Sequence, residues 1–236
     1  MLPEKLSLLE PGIPWLYPRE YARGEKTLEL KEIIQRRRSI RRYREEPLPH
    51  DVIEELLVAA RAAPSATNRQ PWRFVVVRDK DLKNHLGEAI TQSFVTRAPV
   101  IVVCCIDRRS FTRGVLQERV EELVSAGVME REVAELLYQR KMPEKTEEAG
   151  IPISAYIDMG IAIEHIVLLA ADMGIGSCWV RMFDAEKLSS ILDLPSRLTP
   201  VAILPMGYPA EDPPARPRLP LHEIVWKVGE GGDMPD

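Results

Sequence analysis

The chain has few cysteines, and their spacing is unsuited to crosslinks or metal ligands. Its 236 residues include only Cys104, Cys105 and Cys178, a set that forms neither a disulfide framework nor a metal-ligand pattern. Cys104 and Cys105 adjoin within a strand-like run, so their side chains are expected on opposite faces of a sheet. We therefore interpret all three as buried, unreactive thiols and predict no metal site.

A strong net charge and a long uncharged apolar run are also missing. The net charge is −4 and the isoelectric point is about 5.7, so no global field attracts nucleic acid or an acidic membrane. The most apolar long segment, residues 153–173, carries Asp158, Glu164, His165 and Asp172, which favours a buried helix over a membrane span. No signal peptide is visible at the N-terminus. These absences predict a cytoplasmic protein that binds neither nucleic acid nor a membrane.

Apolar periodicity divides the chain into irregularly alternating helices and strands. Helical patterns are predicted from about residue 28 and over residues 51–62, 81–89, 153–173 and 185–192. Short β-branched apolar runs predict strands at residues 74–77, 99–106, 177–180 and 201–204. Such a mixture predicts an α/β or α+β fold in which one sheet lies between helical layers.

Two segments stand apart from this pattern. Residues 1–27 are rich in proline and aromatic residues and are predicted to form an N-terminal arm, which leaves residues 28–236 as one domain. Residues 108–150 change abruptly to charged, helix-favouring composition and predict a helical cap inserted into that domain.

A basic run follows the first predicted helix, with five arginines among residues 36–42. These charges repel one another unless an anion lies among them. In an extended conformation Arg37, Ser39 and Arg41 share one face, where two guanidiniums and a hydroxyl suit a phosphate and neighbouring sugar hydroxyls. A solvated basic stretch is the alternative interpretation.

A second polar segment lies between the helix ending near residue 62 and the following strand. Residues 63–72 carry Ser65, Asn68 and Gln70, whose hydroxyl and amide groups offer both donors and acceptors to a ring system. An ordinary turn is the alternative, because proline, serine and asparagine favour turns.

These segments together resemble the nitroreductase family of FMN proteins. The resemblance starts with Arg-Arg-Ser-Ile-Arg at 37–41, Ala-Pro-Ser at 63–65, Asn68 and Gln-Pro-Trp-Arg-Phe at 70–74. It continues with Asp-Met-Gly at 158–160, Gly-Ile-Gly-Ser-Cys-Trp at 174–179 and Met-Gly-Tyr-Pro at 206–209. Each motif is weak alone, but their order and spacing together are specific across most of the chain after Arg37.

The resemblance implies an α+β, nitroreductase-like fold, with a central mostly antiparallel or mixed sheet flanked by helices. It implies a homodimer that binds FMN non-covalently at the subunit interface. It also implies an NAD(P)H-dependent oxidoreductase, which passes hydride from NADH or NADPH through FMN to a small acceptor such as a nitroaromatic or a quinone. Because donor and acceptor use the same face of the cofactor in turn, ping-pong kinetics are expected.

The resemblance also assigns cofactor-binding residues, by position. The phosphate and ribityl chain are expected to contact Arg37, Arg38, Ser39 and Arg41, with Arg216 and Arg218 completing the phosphate site. The isoalloxazine ring is expected to contact Pro64, Ser65, Asn68 and Gln70, together with the backbone of Trp179, Val180 and Arg181. No side chain stands out as a catalytic acid.

Other interpretations stay open. One alternative is the same fold serving reductive dehalogenation, enone reduction or flavin destruction, and another is an arginine-rich module that binds a nucleotide without redox chemistry. The cap helices are either solvated on their charged faces or form an apolar underside over the flavin, made of Phe111, Leu136, Leu137, Tyr138 and Met142. The sequence distinguishes neither NADH from NADPH nor one acceptor from another.

Overall fold

The computed structural model of the chain describes residues 29–225, so the predicted N-terminal arm and residues 226–236 lie outside the described part. Short 3-10 turns lie at Ala66–Asn68, Arg108–Phe111 and Thr146–Glu148. The helices and strands follow in the order α1 (Leu30–Arg36), α2 (His50–Arg61), β1 (Trp72–Val77), α3 (Lys80–Leu86), α4 (Ser93–Thr96), β2 (Val100–Asp107), α5 (Arg113–Ser125), α6 (Arg131–Tyr138), α7 (Ile153–Asp172), β3 (Gly176–Ser177), α8 (Ala185–Ile191), β4 (Leu198–Gly207) and α9 (Leu221–Ile224).

The strands form one sheet in the order β1-β2-β4-β3, and every neighbouring pair is antiparallel. The predicted α+β class is therefore confirmed. The predicted strand over 177–180 is too long, because the ladder with β4 covers only Gly176–Ser177 and resumes as a single bridge between Val180 and Ile203. Continuing that register sets Cys178 opposite Pro205, which has no N–H to donate, so the ladder breaks there.

The central strand β2 is buried along its whole length and divides the core in two. Cys104 packs with the cluster that includes residues of α2 and α7, whereas Cys105 packs with the cluster that includes residues of α3 and α8. The two thiols thus lie on opposite faces of the sheet, as the strand period predicts. All three cysteines are free and buried.

Helix α7 is the main helix of the larger core cluster. It packs on α2 and on the sheet through residues that include Met159, Ile163 and Ile166. By length and composition α7 could cross a membrane, which is weak evidence by itself, since core helices pass the same test. Its packing on α2 and β2 is that of a core helix. Gly174, at φ 70°, then turns the chain from α7 into β3.

The predicted helical cap contains α5 and α6, which pack on each other around a small core of Leu116, Val120 and Ala134. The residues proposed for an apolar underside of the cap do not share one surface. Leu137, Tyr138 and Met142 pack against the cap's own core, Phe111 belongs to the main core, and Leu136 is 65% exposed. Val128 and Val133 are exposed as well, so the packing of α5 on α6 leaves part of the cap's apolar surface uncovered. Helix α5 also contacts the 3-10 turn at Ala66–Asn68.

Candidate functional site

The arginine-rich segment is extended and lies between β3 and the segment that follows β4. The N–H of Ile40 donates to the carbonyl of Ser177 over 2.9 Å, and Ser39 bridges Ser177 in parallel. On the other side, the N–H of Ala210 donates to the carbonyl of Arg42. A Cβ added at Gly176 would lie 2.8 Å from the side chain of Ile40, so this close approach requires glycine.

Glu211 holds the backbone of the same segment, and the sequence analysis missed it. Its Oε1 accepts hydrogen bonds from the N–H groups of Arg41, over 2.6 Å, and Arg42, over 3.1 Å. A carboxylate two residues after the Met-Gly-Tyr-Pro motif was the available signal. That signal could be interpreted only once the structure had shown that the motif pairs with residues 42–44.

Four of the predicted phosphate-site residues surround one thiol. Burial raises the pKa of Cys178, while Arg41, a hydrogen bond from the side chain of Ser39, Arg216 and Arg37 each act to lower it. The pairing of Ser39 and Ile40 with Ser177 brings the arginine-rich segment to β3. The charges of Arg37, Arg41 and Arg216 act together on the thiol that follows β3, although they come from segments almost 180 positions apart in the chain. A doubly charged phosphate group is the kind of ligand that such a cation excess suits.

Two other predicted residues of this group do not join the convergence. The guanidinium of Arg38 turns back onto α1 and donates to the carbonyls of Gln35 and Arg37. Arg218 is exposed and donates to the carbonyls of Arg216 and Pro217.

Residues 179–181 continue from β3 along the same edge of the sheet. Val180 is buried and exchanges two hydrogen bonds of 2.9 Å with Ile203, Trp179 is half-buried, and Arg181 is exposed. The N–H of Val180 is therefore used within the sheet and is not available to a bound ring.

The predicted ring-contact loop, residues 64–70, has an unusual backbone. Thr67, Asn68 and Gln70 have φ values of 52°, 52° and 46°, a left-handed region that costs energy for residues other than glycine. Two hydrogen bonds from the loop to Ser65 maintain it: Gln70 N–H donates to the hydroxyl oxygen and Asn68 N–H to the carbonyl, both over 3.0 Å. Concentrated backbone strain of this kind is typical of binding sites.

A buried carboxylate lies beneath this loop. Oδ1 of Asp158 on α7 accepts a hydrogen bond from the N–H of Ala66 over 3.2 Å, while Oδ2 is buried without a partner. Burial raises the pKa of Asp158, and the Ala66 hydrogen bond and nearby Arg69 oppose that shift. The sequence analysis recorded Asp158 only as part of a motif, because its contact with residue 66 spans 92 positions.

The loop and the cation cluster lie at opposite corners of the sheet. Trp72, which follows the loop, pairs with Ile106, and Ile106 pairs with Thr199 of β4. Ser177, in the cation cluster, pairs with Met206 of β4. From 199 to 206 is seven positions, or roughly 20 Å of strand, and β1 and β3 form opposite edges of the sheet.

Helix α7 provides an independent measure of the same separation. Asp158 near its start contacts the loop, and its last residue, Asp172, is followed by the turn into β3. From 158 to 172 is fourteen positions, or about 21 Å of helix. The four strands of the sheet also span about 14 Å from β1 to β3, so the two groups are separated both along the strands and across them.

Comparison with known proteins defines the class. The protein-family model described as "Nitroreductase family" matches residues 34–208, which is 175 of the 236 residues. The chain belongs to the nitroreductase family, and the prediction of a nitroreductase-type oxidoreductase is confirmed.

Individual relatives agree with this class. A Thermus thermophilus protein named NADH dehydrogenase is 38% identical over 85% of this chain and 97% of its own. Iodotyrosine deiodinase of Nematostella vectensis is 26% identical over 90% of this chain and 81% of its own. A protein of Exiguobacterium sibiricum, solved in complex with FMN, superposes with a TM-score of 0.71 at 22% identity, over 86% of this chain and 99% of its own, which supports the fold.

Proposed function

We propose that this protein is an FMN-dependent oxidoreductase that transfers hydride from NADH or NADPH to a small organic acceptor, such as a nitroaromatic or a quinone, by a ping-pong mechanism. The observation that carries the proposal is the convergence of Arg37, Arg41, Arg216 and the Ser39 hydroxyl at β3. That donor set fits the phosphate and ribityl chain of FMN, and the relative solved with FMN has the same fold.

Bound FMN supplies the hydride chemistry, because it accepts hydride from one substrate and donates it to the next. The protein binds and orients it. The cation cluster would neutralise the phosphate, the backbone of residues 179–181 would pack against the ring, and the loop at 64–70 would offer amide and hydroxyl groups to it. Pro64, Ser65, Asn68 and Gln70 are the proposed contacts there.

We propose further that each FMN site is completed by the second subunit of a homodimer. In one chain the two groups of cofactor contacts lie at opposite corners of the sheet. This separation supports a site in which the loop at 64–70 serves the FMN held by the partner's cation cluster. The site is therefore incomplete without a second copy.

An exposed apolar stripe on α7 supports this dimer. Ile153, Tyr156 and Ile157 are 81%, 50% and 59% exposed, and Gly160 follows them on the same helix face. A Cβ at Gly160 would meet no atom within 4 Å, so packing within one chain does not require glycine there. Leu30 and Ile34 of α1, which contacts α7, are also exposed. A stripe of exposed apolar side chains such as that on α7 is typical of subunit interfaces.

The cofactor is tested by purifying the protein and recording its absorption spectrum. We expect a yellow protein that releases FMN on denaturation and whose flavin band is bleached anaerobically by NADH or NADPH. Arg216→Gln should lower the FMN content, whereas Arg97→Gln, an exposed arginine outside the cluster, should not. A colourless protein that does not bind added FMN contradicts the proposal.

The acceptor is tested by reoxidising the bleached enzyme with a panel of compounds. The panel should hold a nitroaromatic, a quinone and an iodinated tyrosine, since one relative is a deiodinase. Reoxidation by the first two with parallel lines in double-reciprocal plots supports the proposal. Preferential reaction with the halogenated compound favours reductive dehalogenation instead.

The shared site is tested with Gly160→Leu, which places a large side chain on the stripe without a clash inside one chain. We expect sedimentation to show monomers that keep their helical content but lose FMN. Gly114→Leu on the cap, another glycine with open space around it, is the matched control. A monomeric variant that keeps FMN at wild-type affinity contradicts the shared site.

A further inference from the structure

A polar cleft of about 580 Å³, counting its open mouth, lies between the end of the sheet and helix α5 of the cap. Its lining includes four arginines from four different parts of the fold: Arg69, Arg73, Arg109 and Arg119. Two carboxylates, Asp107 and Glu118, lie among them. None of the residues assigned to FMN lines the cleft except Gln70, at its edge.

Two of these arginines are already neutralised. Arg73 approaches Asp107 at 3.5 Å, and Arg119 forms ion pairs with Glu118 at 2.7 Å and Glu122 at 2.6 Å. Asp107 is shared, because Arg197 approaches it at 3.5 Å as well. The single negative charge of Asp107 is therefore shared between Arg73 and Arg197.

Arg69 and Arg109 have no carboxylate within ion-pair distance anywhere in residues 29–225. Arg69 donates to the hydroxyl of Thr67 over 2.9 Å and lies over the ring of Phe111. Burial and the neighbouring charge of Arg140 lower the pKa of Arg69, and the carboxylate of Asp158, which lies beyond ion-pair distance, opposes this shift. Burial therefore makes the charged form of Arg69 less favourable than it is in water. The side chain of Arg109 is exposed at the cleft. The cleft thus holds two guanidiniums that an anion would stabilise.

The place of the cleft restricts which anion it takes. It opens beside Gln70, in the loop proposed to contact the flavin ring, and runs from there towards α5. A reductant whose nicotinamide lies on the ring must direct the rest of the molecule away from it. The lining is almost entirely polar, with Val115 as its one aliphatic side chain, which suits phosphates and ribose better than an aromatic acceptor.

We propose that this cleft binds the phosphate groups of the nicotinamide dinucleotide, with Arg69 and Arg109 as the two cationic contacts. The inference rests on the proposed function, because it concerns the reductant of the same flavin. The group bound by the two arginines is a phosphate. It is either the pyrophosphate, which NADH and NADPH both carry, or the 2′-phosphate, which only NADPH carries.

The test is anaerobic stopped-flow reduction of the FMN-loaded enzyme by NADH, by NADPH and by 1-benzyl-1,4-dihydronicotinamide, which carries no phosphate. Arg109→Gln is the main variant, because that exposed side chain makes no hydrogen bond that folding requires. Arg69→Lys is the second variant, because lysine keeps the positive charge but lacks the planar guanidinium that donates two parallel hydrogen bonds to a phosphate. Arg97→Gln removes an exposed arginine beyond the other end of β2 and is the matched control.

For Arg109→Gln we expect the ratio of the second-order rate constants, dinucleotide over benzyl compound, to fall roughly tenfold, the size of a lost charge-assisted hydrogen bond. Added salt should lower the dinucleotide rate less in this variant than in the wild type. A fall for both dinucleotides identifies the pyrophosphate, and a fall for NADPH alone identifies the 2′-phosphate.

An unchanged ratio in both arginine variants, or an equal fall in Arg97→Gln, overturns the inference and leaves the proposed function intact. Failure of NADH and NADPH to bleach the wild-type flavin refutes the proposed function, and this inference with it.

Discussion

The backbone N–H of Ala66 donates to Oδ1 of Asp158 over 3.2 Å, and this bond ties the strained loop at 64–70 to helix α7. The loop has left-handed backbone at Thr67, Asn68 and Gln70, so it needs outside contacts to keep that shape. Asp158 is a positioning residue in this arrangement, since it holds the loop rather than the cofactor.

Replacing Asp158 with alanine should weaken FMN binding by about tenfold, because it removes the part-buried hydrogen bond that ties the loop to α7. Asp158→Asn keeps an oxygen at the Oδ1 position and should retain most of the affinity. Fluorescence titration of apoprotein with FMN measures both. Equal affinities of the alanine variant and the wild type would show that the loop holds its shape without α7.

The stability conferred by Asp158 should depend on pH. Its folded-state pKa is raised above the ordinary value of 3.8 by burial, so the folded protein binds the proton more tightly than the unfolded chain. This contribution is fully present below pH 3.8 and is lost as the pH rises through the raised pKa.

The comparison with Asp158→Asn isolates this effect, since asparagine does not titrate. Relative to the wild type, the variant should gain free energy of unfolding as the pH rises from about 4 to 7. Urea titrations at several pH values measure the difference. A difference that is constant across this range contradicts the burial argument.

Gly176→Ala should destabilise the protein by about 1–3 kcal/mol, the usual cost of overpacking a core contact, because the new Cβ would lie 2.8 Å from Ile40. The same change should weaken FMN binding, since Ile40 lies between Ser39 and Arg41. Gly114→Ala, in helix α5 with open space around it, is the control and should be neutral or stabilising. Thermal unfolding and FMN titration report the two effects, and equal behaviour of both variants contradicts the prediction.

The thiols should be unreactive in the native protein. Burial raises the pKa of Cys105 to about 12 and that of Cys104 well above its ordinary value, so almost no thiolate exists at pH 8. Iodoacetamide at that pH should modify neither residue within hours, whereas the urea-unfolded chain should react at all three cysteines. Peptide mass spectrometry locates the modified positions, and rapid labelling of Cys104 or Cys105 contradicts the prediction.

Much of the fold could be predicted from local pattern. The uninterrupted apolar run before residue 107 predicted the buried central strand, and the apolar segment after residue 152 predicted α7. The strand at 177–180 was predicted too long because its interruption comes from Pro205, a residue of the partner strand. The cap was predicted, but not the use of its apolar residues to join α5 to α6.

The candidate site was predictable in its residue types and less so in its geometry. The arginine-rich segment pairs with β3 and Arg38 turns back onto α1, while the roles of Arg37, Ser39, Arg41 and Arg216 in binding FMN stay predictions. Glu211 and Asp158 were missed, because each acts through a contact with a distant backbone N–H group that no local pattern records.

The sequence by itself determined the secondary structure, the family and the kinds of group that would meet a phosphate and a ring, since these depend on residue type, period and motif order. Only the tertiary structure decided that the two groups of contacts lie at opposite corners of the sheet, and that two arginines beside the cap form no ion pair within residues 29–225. Both are distances between segments remote in the chain. Strand pairing and helix packing set such distances, and composition does not.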